Sequence, residues 1–315
     1  MAIQELGEGR LLIDLDFQHT PGLIGSYLLP EKDGGWAVVE VGPTTCHQAF
    51  LEGLAAAGIT PVEVKDVFVT HIHLDHAGGL GALVDSLPKA VFHVHEVGRP
   101  HLLDTSKLVQ SAARAWGPMS DQLWGPVLPV PADRLRALKG GETFALDRGA
   151  TLTVIPAPGH ANHHVAFFDS ALAAVMTGDG AGVLLQGSTH VRPAVPPPDL
   201  DVDMLLSSLE RMRSFAPRRL LFSHYGPADN AVARLEEAAE RVNRWVAVAR
   251  EVIQKTPTVP EIARALEEDD LALSRAEGEP AIQAQRTNAV TGYEMAAMGL
   301  LRYLTRPPPR HAGPA

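Results

Sequence analysis

The chain lacks several features that mark secreted and membrane proteins. It has a single cysteine, Cys46, so it cannot form an internal disulfide, which fits a reducing compartment. No apolar run approaches the ~20 residues that a membrane-spanning helix requires. The first ten residues carry Glu5 and Glu8 where a signal peptide would have an apolar stretch. We therefore predict a cytoplasmic protein with no membrane partner.

Positive charge is also scarce. The chain has 27 Lys and Arg residues against 37 Asp and Glu residues, which gives a formal net charge of −10. A nucleic-acid ligand requires a surplus of basic residues on one face, so we expect no nucleic-acid partner. The sequence also lacks a Gly-x-Ser-x-Gly elbow, which excludes the serine hydrolases that depend on it.

The pattern of apolar residues changes along the chain. Of the 315 residues, 45% are hydrophobic, which is enough for one large domain or one domain with an appendage. Short strands and a few helices fill the first part and favour a layered α/β arrangement. Beyond Gly226 only helical patterns are evident. The predicted strands are 11–17, 23–29, 36–41, 66–70, 90–95, 151–155, 165–168, 173–177 and 219–223, and the predicted helices are 46–57, 201–215, 231–255, 259–267 and 281–304.

These patterns divide the chain into three parts. We expect a catalytic domain over residues 1–228, a helical C-terminal extension over 229–305, and a loose, proline-rich tail over 306–315. Three roles for the extension stay open: it covers the mouth of the active site, it forms the surface of a homodimer, or it simply packs against the catalytic domain.

The densest group of polar residues follows an apolar strand, in the segment Thr-His-Ile-His-Leu-Asp-His-Ala-Gly-Gly that begins at Thr70. On an extended chain, the side chains of His71 and His73 point to the same side and can bind one metal ion together. A turn into a helix would then direct Asp75 and His76 together toward a neighbouring point. Because zinc takes three or four ligands, the remaining ligands must come from elsewhere in the chain.

Three further candidates stand where apolar strands end. His160 follows a strand and a Pro-Gly turn, Asp179 follows Thr-Gly after another strand, and His224 follows the strand that ends near Ser223. Metal-binding residue types at strand ends allow a rigid sheet to present a site to solvent. The sequence therefore predicts one metal centre assembled from four separate segments.

The His-x-His-x-Asp-His segment and the order of the later ligands resemble the metallo-β-lactamase fold superfamily, in its group of glyoxalase-II-like and lactonase-like hydrolases. The resemblance runs from about residue 11 to residue 226. It implies an α/β fold, a four-layer αββα sandwich with the metals at one edge between the two sheets. It also implies two divalent metal ions per chain, zinc first, with iron or manganese as alternatives. The implied ligands are His71, His73 and His160 for the first metal, Asp75, His76 and His224 for the second, and Asp179 as a bridge between them.

The implied reaction is hydrolysis of a small molecule. Two metal ions can share a hydroxide that attacks an ester, thioester or lactone carbonyl, with Asp75 as the catalytic residue that orients the nucleophile and shuttles its proton. An iron-dependent persulfide dioxygenase and a phosphodiesterase are the alternatives on the same scaffold. We cannot align the basic glutathione-binding residues of true glyoxalase II with the C-terminal helices. With Ile72 and Leu74, the motif resembles the lactonases of this group more closely.

Four other residues are candidates for substrate binding. His190 and Arg192 lie before a proline run, where Arg192 would either clamp a substrate carboxylate or phosphate or form a structural salt bridge. Tyr225 follows a ligand and would donate to an oxyanion or pack beneath the site. His164 is the fourth candidate. The family usually has a glycine near the position of His163, so this histidine is a departure from the family pattern. Three roles for His163 stay open: supporting a ligand, facing the substrate, or lying exposed at the surface.

Overall fold

The computed structural model describes residues 3–255 and 257–305, so the tail predicted for 306–315 lies outside the described residues. Its centre is a pair of β-sheets. In the first sheet, β1 to β4 are antiparallel and β4 to β7 are parallel, in chain order across the sheet. Its strands are β1 (Ile3–Gly7), β2 (Arg10–Asp14), β3 (Gly25–Pro30), β4 (Trp36–Val39), β5 (Val64–Phe68), β6 (Val91–His95) and β7 (Leu135–Leu138).

The second sheet has the spatial order β13-β12-β11-β10-β9-β8. All its strand pairs are antiparallel except β11 with β12, which are parallel. Its strands are β8 (Thr143–Ala145), β9 (Thr151–Pro156), β10 (Val165–Asp169), β11 (Ala174–Gly178), β12 (Arg219–Phe222) and β13 (Gly226–Asp229).

Helices cover the outer faces of both sheets and form the C-terminal region. The α-helices are α1 (His47–Ala56), α2 (Leu74–Ala77), α3 (Leu80–Leu83), α4 (Arg99–Leu103), α5 (Ser106–Trp116), α6 (Ser120–Trp124), α7 (Val202–Ser214), α8 (Ala231–Ile253), α9 (Val259–Glu277), α10 (Ala281–Val290) and α11 (Tyr293–Thr305). Short 3-10 helices span Phe17–His19, Thr44–Cys46, Pro61–Glu63, Gly117–Met119 and Asp147–Gly149. Within the described ranges, no helix has the length and apolar character needed to cross a bilayer.

Three buried clusters define the layers. Between the sheets, Phe68 of the first sheet shares a core with Phe167 and Met176 of the second. On the outer face of the first sheet, Phe50 of α1 and Leu80 of α3 join a second core. On the outer face of the second sheet, α7 and α8 complete a third core. The predicted four-layer αββα sandwich is therefore confirmed, because each sheet alternates side chains between the central core and one helical layer.

The C-terminal helices form a fourth core with the start of α7. The region is helical from α8 onward, as expected. Helix α9 continues to Glu277, ten residues beyond the predicted end at 267, and the helix predicted over 281–304 is interrupted between α10 and α11 at Thr291 and Gly292. Strands β1, β7, β8 and β13 and helices α3 to α6 had not been predicted.

Candidate metal centre

The His71–His76 segment has the local structure that its sequence predicts. Strand β5 ends at Phe68, and α2 begins at Leu74 with an extended His73 as its N-cap. His71 and His73 therefore lie on extended chain, while Asp75 and His76 lie on the first turn of a helix. This change of conformation directs the two pairs of side chains toward two neighbouring points.

The other three candidates reach the same edge from the second sheet. His160 follows β9, Asp179 follows β11 and His224 follows β12. The turn before His160 requires a glycine, because Gly159 has a φ of +135° and an added Cβ would lie 2.3 Å from the Leu205 nitrogen of α7. The close approach of α7 fixes this turn.

The first group of potential ligands contains His71, His73, His160 and Asp179. His73 Nδ1 lies 3.0 Å from both His71 Nε2 and His160 Nε2. Asp179 Oδ2 lies 3.6 Å from His160 Nε2. Four ligand atoms from three segments thus face a single point, as a tetrahedral ion requires.

The second group contains Asp75, His76 and His224. His224 Nε2 lies 3.2 Å from His76 Nε2 and 3.5 Å from Asp75 Oδ2. Asp179 also reaches this group, because its Oδ1 lies 3.4 Å from His76 Nε2 and 3.6 Å from His224 Nε2. Asp179 therefore turns one carboxylate oxygen toward each group.

Hydrogen bonds behind two of the imidazoles fix their tautomers. The Nδ1 atom of His160 donates to the Ala194 carbonyl and that of His224 donates to the Leu23 carbonyl, both at 2.8 Å. A carbonyl can only accept, so each ring carries its proton on Nδ1 and turns the Nε2 lone pair toward the centre. Such partners commonly orient histidines that bind metals.

Glu40 supports the centre, and the sequence analysis did not single it out. This carboxylate is fully buried at the end of β4, and its Oε1 atom accepts from the Thr70 hydroxyl and amide. Its Oε2 atom lies 3.3 Å from His76 Nδ1, and the Thr70 hydroxyl lies 3.0 Å from His71 Nδ1. One acidic side chain thus orients an imidazole in each group. In the sequence, Glu40 could have been identified as an acidic residue at the end of an apolar strand.

The electrostatics of the centre favour bound cations. Burial, followed by the neighbouring imidazoles, lowers the pKa of His71 well below its usual value and that of His73 to about 3. Burial would raise the pKa of Asp75 and Asp179, but His76, His224 and other imidazoles outweigh it and lower both. Neutral imidazoles and charged carboxylates are the protonation states that divalent ions bind. Burial would also lower the pKa of His76 and His224, but the nearby carboxylates, Asp179 and Asp75 for both and Glu40 for His76, outweigh it and raise both pKa values, so a cation would displace a proton there.

A cavity of about 250 Å³ opens onto these groups. Five of the potential ligands form its floor: His73, Asp75, His160, Asp179 and His224. Helices α5 and α6 form one wall, and the proline-rich loop before α7 and helices α10 and α11 form the other. The C-terminal helices therefore face the site directly. A homodimer through these helices stays a prediction.

The proline-rich loop and α11 are in very close contact. An added Cβ at Gly299 of α11 would lie 1.9 Å from the Val195 carbonyl oxygen, so no larger residue fits without a shift of the backbone. Two residues later, Pro197 and Pro198 line the cavity. The helix thus fixes the loop that forms this wall.

A family model described as "Metallo-beta-lactamase superfamily" matches residues 20–224 of the chain. The chain belongs to the metallo-β-lactamase superfamily. The sequence is 23% identical over 273 residues to "Probable metallo-hydrolase YqjP" of Bacillus subtilis, covering 78% of this chain and 82% of that protein. It is 25% identical over 210 residues to a hydroxyacylglutathione hydrolase of Hyphomonas neptunium, covering 62% of this chain and 63% of that protein.

A solved structure supports the fold beyond the family match. The metallo-beta-lactamase family protein TTHA1429 from Thermus thermophilus has a TM-score of 0.66 and 20% identity, with 95% of this chain and 94% of that chain covered. Because the covered share extends past residue 224, the likeness includes C-terminal helices as well as the sandwich. At this identity the likeness concerns the fold alone.

The side chains of this superfamily member fit divalent metal ions. The donors are imidazole nitrogens and carboxylate oxygens, which suit zinc, iron and manganese. The Oδ1 atom of Asp179 is buried and has no hydrogen-bond partner within the described residues, although the imidazoles of His76 and His224 lie close to it. A charged oxygen without a partner is costly to bury, and a bound cation would satisfy it.

His190 and Arg192 bind a carboxylate of the protein itself. Both contact the fully buried Asp270 of α9, His190 through Nε2 at 3.2 Å and Arg192 through Nη2. Arg241 of α8 and the Tyr293 hydroxyl of α11 also donate to Asp270, at 3.1 Å and 2.8 Å. The structural salt bridge, one of the two alternatives for Arg192, is thus present. Neither His190 nor Arg192 lines the cavity, so a role in substrate binding stays a prediction without geometric support.

This cluster leads to a pH-dependent prediction. Burial would lower the pKa of His190, but the hydrogen bond and charge of Asp270, with Glu279 nearby, outweigh it and raise the pKa above 6.5. A raised pKa stabilises the folded state below about pH 6.5, and this contribution is lost as the pH rises through the folded-state value. We expect His190→Gln to lower the Tm more at pH 6 than at pH 9, as measured by thermal unfolding. An equal loss at both pH values would contradict the prediction.

The remaining candidates lie beside the ligands, outside the cavity lining. His164 is buried, and its Nε2 accepts a hydrogen bond from the Asp179 amide at 3.2 Å. Tyr225 is half-buried among residues of the central core and has a pKa raised by burial. Their roles in substrate binding stay predictions. His163 is buried with Nδ1 3.5 Å from the Ile72 amide, so of its three open roles the exposed one is wrong.

Proposed function

We propose that the chain is a dinuclear metal-dependent hydrolase that cleaves an ester, thioester or lactone bond of a small molecule. The observation that carries this proposal is the convergence of two ligand groups on either side of Asp179. A single-ion enzyme has no need of a second complete group. The presence of Asp75, His76 and His224 at a second point therefore favours two ions over one.

The proposal assigns His71, His73 and His160 to one ion and Asp75, His76 and His224 to the other, with Asp179 shared. A pair of divalent ions makes water acidic near neutral pH and polarises a carbonyl oxygen. Zinc is our first choice, with iron and manganese as alternatives, because histidine and carboxylate ligands suit all three.

The protein's own groups have distinct tasks in this proposal. Asp75 lies on the cavity floor with a side chain that is 22% exposed, so solvent and substrate can reach it. Its lowered pKa keeps it deprotonated, and it can accept a hydrogen bond from the attacking water and pass on its proton. Glu40 and the Ala194 and Leu23 carbonyls hold the imidazoles still, so little reorganisation accompanies the reaction.

The choice of an acyl bond receives support from a relative. Water adds across the acyl bond, and the products are a carboxylic acid and an alcohol or thiol. The name of the Hyphomonas relative, hydroxyacylglutathione hydrolase, describes cleavage of an acyl compound. The alternatives, a persulfide dioxygenase and a phosphodiesterase, have no specific observation in their favour.

Metal analysis coupled to a substrate panel tests the proposal. The protein is purified without added metal, its metal content is measured, and it is assayed on thioesters, lactones, aryl esters and phosphodiesters. We expect about two metal ions per chain and turnover of carbonyl substrates. One iron per chain with oxygen consumption on persulfides would overturn the proposal, and so would turnover of phosphodiesters alone. A fully metallated protein inactive on every acyl compound would overturn it too.

A further inference from the structure

The cavity walls differ sharply from its floor. Apart from the potential metal ligands, the cavity lining contains no charged side chain among the described residues, and its polar side chains are the hydroxyls of Ser111 and Thr291. The other wall residues are aliphatic, aromatic, methionine, proline, alanine or glycine. They come from segments far apart in the chain: α5 and α6, the proline-rich loop, and α10 and α11. An apolar wall built from separate segments is a typical small-molecule pocket.

Aromatic rings concentrate at one side of the cavity. Trp116 and Trp124 both line it, with ring centroids 5.6 Å apart. Phe17 stacks on Trp124 at 5.8 Å. Trp124 is buried, whereas Trp116 is 40% exposed, so the rings run from the interior toward the solvent. Flat apolar faces of this kind suit an aliphatic or aromatic chain.

The size of the cavity limits its occupant. Its volume is about 250 Å³. A dry apolar cavity of roughly 150 Å³ holds a benzene molecule. The cavity beside the metal ligands can therefore hold a group larger than a single aromatic ring, in addition to solvent near the floor.

We propose that the walls bind an uncharged, apolar acyl group and so make this protein selective for hydrophobic acyl esters, thioesters or lactones. This inference rests on the proposed function. The substrate carbonyl would meet the floor, and the acyl chain would lie along the tryptophans and α11. Hydrolysis adds one water: an ester or thioester gives the apolar carboxylic acid and an uncharged alcohol or thiol, and a lactone opens to a single hydroxy acid.

The same walls disfavour a charged substrate. Moving a carboxylate from water to an apolar surface is costly unless a cation pairs with it. No Lys or Arg lines the cavity in the part of the chain that the structure describes, so its walls offer no such partner. A substrate with a charged acyl group or a charged carrier would lose its hydration there without compensation.

A chain-length series on the metal-loaded protein tests the inference. We would measure kcat/KM on aryl esters of butanoate, hexanoate and octanoate, and on neutral and glutathione thioesters of octanoate. Each buried methylene group should raise kcat/KM by about fourfold, so the octanoyl ester, with four more methylenes, should exceed the butanoyl ester by roughly 250-fold. The neutral thioester should exceed the glutathione thioester. Equal kcat/KM values for the three chain lengths, or a preference for the glutathione thioester, would overturn the inference and leave the proposed function intact.

Two methionines of α11 provide a matched pair of variants. Met295 lines the cavity, whereas Met298 is 40% exposed and does not line it. Met295→Lys should reduce kcat/KM for the octanoyl ester at least about tenfold and change the butanoyl ester much less. Met298→Lys should leave both values unchanged. Met295→Trp keeps the wall apolar but fills it, and should move the optimum to shorter chains. Equal effects of the two lysine variants would contradict the inference.

A binding measurement separates failure of the inference from failure of the proposed function. Two of the four tryptophans, Trp116 and Trp124, line the cavity, so intrinsic fluorescence should respond to an aliphatic ketone. We expect 2-decanone to bind more tightly than 2-hexanone and Met295→Lys to weaken binding. Binding without hydrolysis of any acyl compound would contradict the proposed function but uphold the apolar site. Absence of binding would overturn the site itself.

Discussion

Asp179→Asn is expected to remove at least one metal ion per chain and to lower kcat/KM more than about 100-fold. Asp179 turns Oδ2 toward one group of potential ligands and Oδ1 toward the other. Asparagine keeps the size of the side chain but replaces one carboxylate oxygen, a potential metal ligand, with an NH₂ group that cannot bind a cation. Loss of an outer partner of a metal ligand already costs roughly 10–100-fold, so loss of a shared ligand should cost more.

Metal content and activity should be measured together on this variant. Asp203→Asn is the charge-matched control, because Asp203 is an exposed acidic residue in the first turn of α7. It should retain both metals and full activity. Full metal content in Asp179→Asn would show that Asp179 is not shared by two ions and would remove the main support for a dinuclear centre.

Asp270→Asn is expected to destabilise the protein by about 3–5 kcal/mol, because it leaves the buried Arg192 guanidinium without its carboxylate partner, whereas Arg241 keeps Asp269. The Asp270 carboxylate is fully buried and contacts Arg192 and Arg241, which are 2% and 9% exposed. For a chain of 315 residues the Tm should fall by roughly 5–8 °C, measured by calorimetry. Glu268→Gln on the same helix is the control. Glu268 pairs with Arg264 at the surface, and its loss should change the stability by less than about 0.5 kcal/mol.

The same substitution should also weaken the metal centre. Arg192 stands two residues before Ala194, whose carbonyl accepts the hydrogen bond that orients His160. Release of the loop from α9 would therefore loosen a potential ligand of the first ion. We expect Asp270→Asn to retain metal less well than Glu268→Gln during dialysis against a chelator. An unchanged Tm would contradict the assigned role of the buried cluster.

The potential ligands could be predicted because each has a local signal. The His71–His76 segment shows a change from extended chain to helix within six residues, and His160, Asp179 and His224 each follow an apolar strand. The periodicity of apolar and polar residues and the ends of apolar strands are local properties of a sequence, so they can be recognised without knowledge of the fold. The resemblance to a known family then supplied the layers and the pairing of the ligands.

The missed strands are short or lie at sheet edges. Strand β8 has three residues, and β13 contains Pro227, which is tolerated at the edge of a sheet but not in its interior. Neither has enough alternating residues for a pattern to emerge. Their positions depend on pairing with β9 and β12, which the sequence does not show.

The cavity could not be predicted because its walls depend on tertiary contacts. Trp116 and Met295 are far apart in the chain, and nothing in either local pattern indicates a shared cavity. Glu40 was missed for a related reason, since its link to His71 and His76 exists only after the strands are paired. His190 and Arg192 drew attention because they precede a proline run, although their partner lies on α9.

The floor and the walls of the cavity come from different stretches of polypeptide. The floor lies within the sandwich, whereas one wall depends on α10 and α11, which contribute no potential metal ligand among the described residues. Substitutions at the cavity-lining positions of these helices, such as Val290 and Met295, can therefore reshape the cavity while the residues that would carry out bond cleavage stay in place. Directed evolution for altered selectivity has its natural target there, and libraries confined to such positions, with Tyr293 and Gly299 unchanged, should keep their metal content while their preferences diverge.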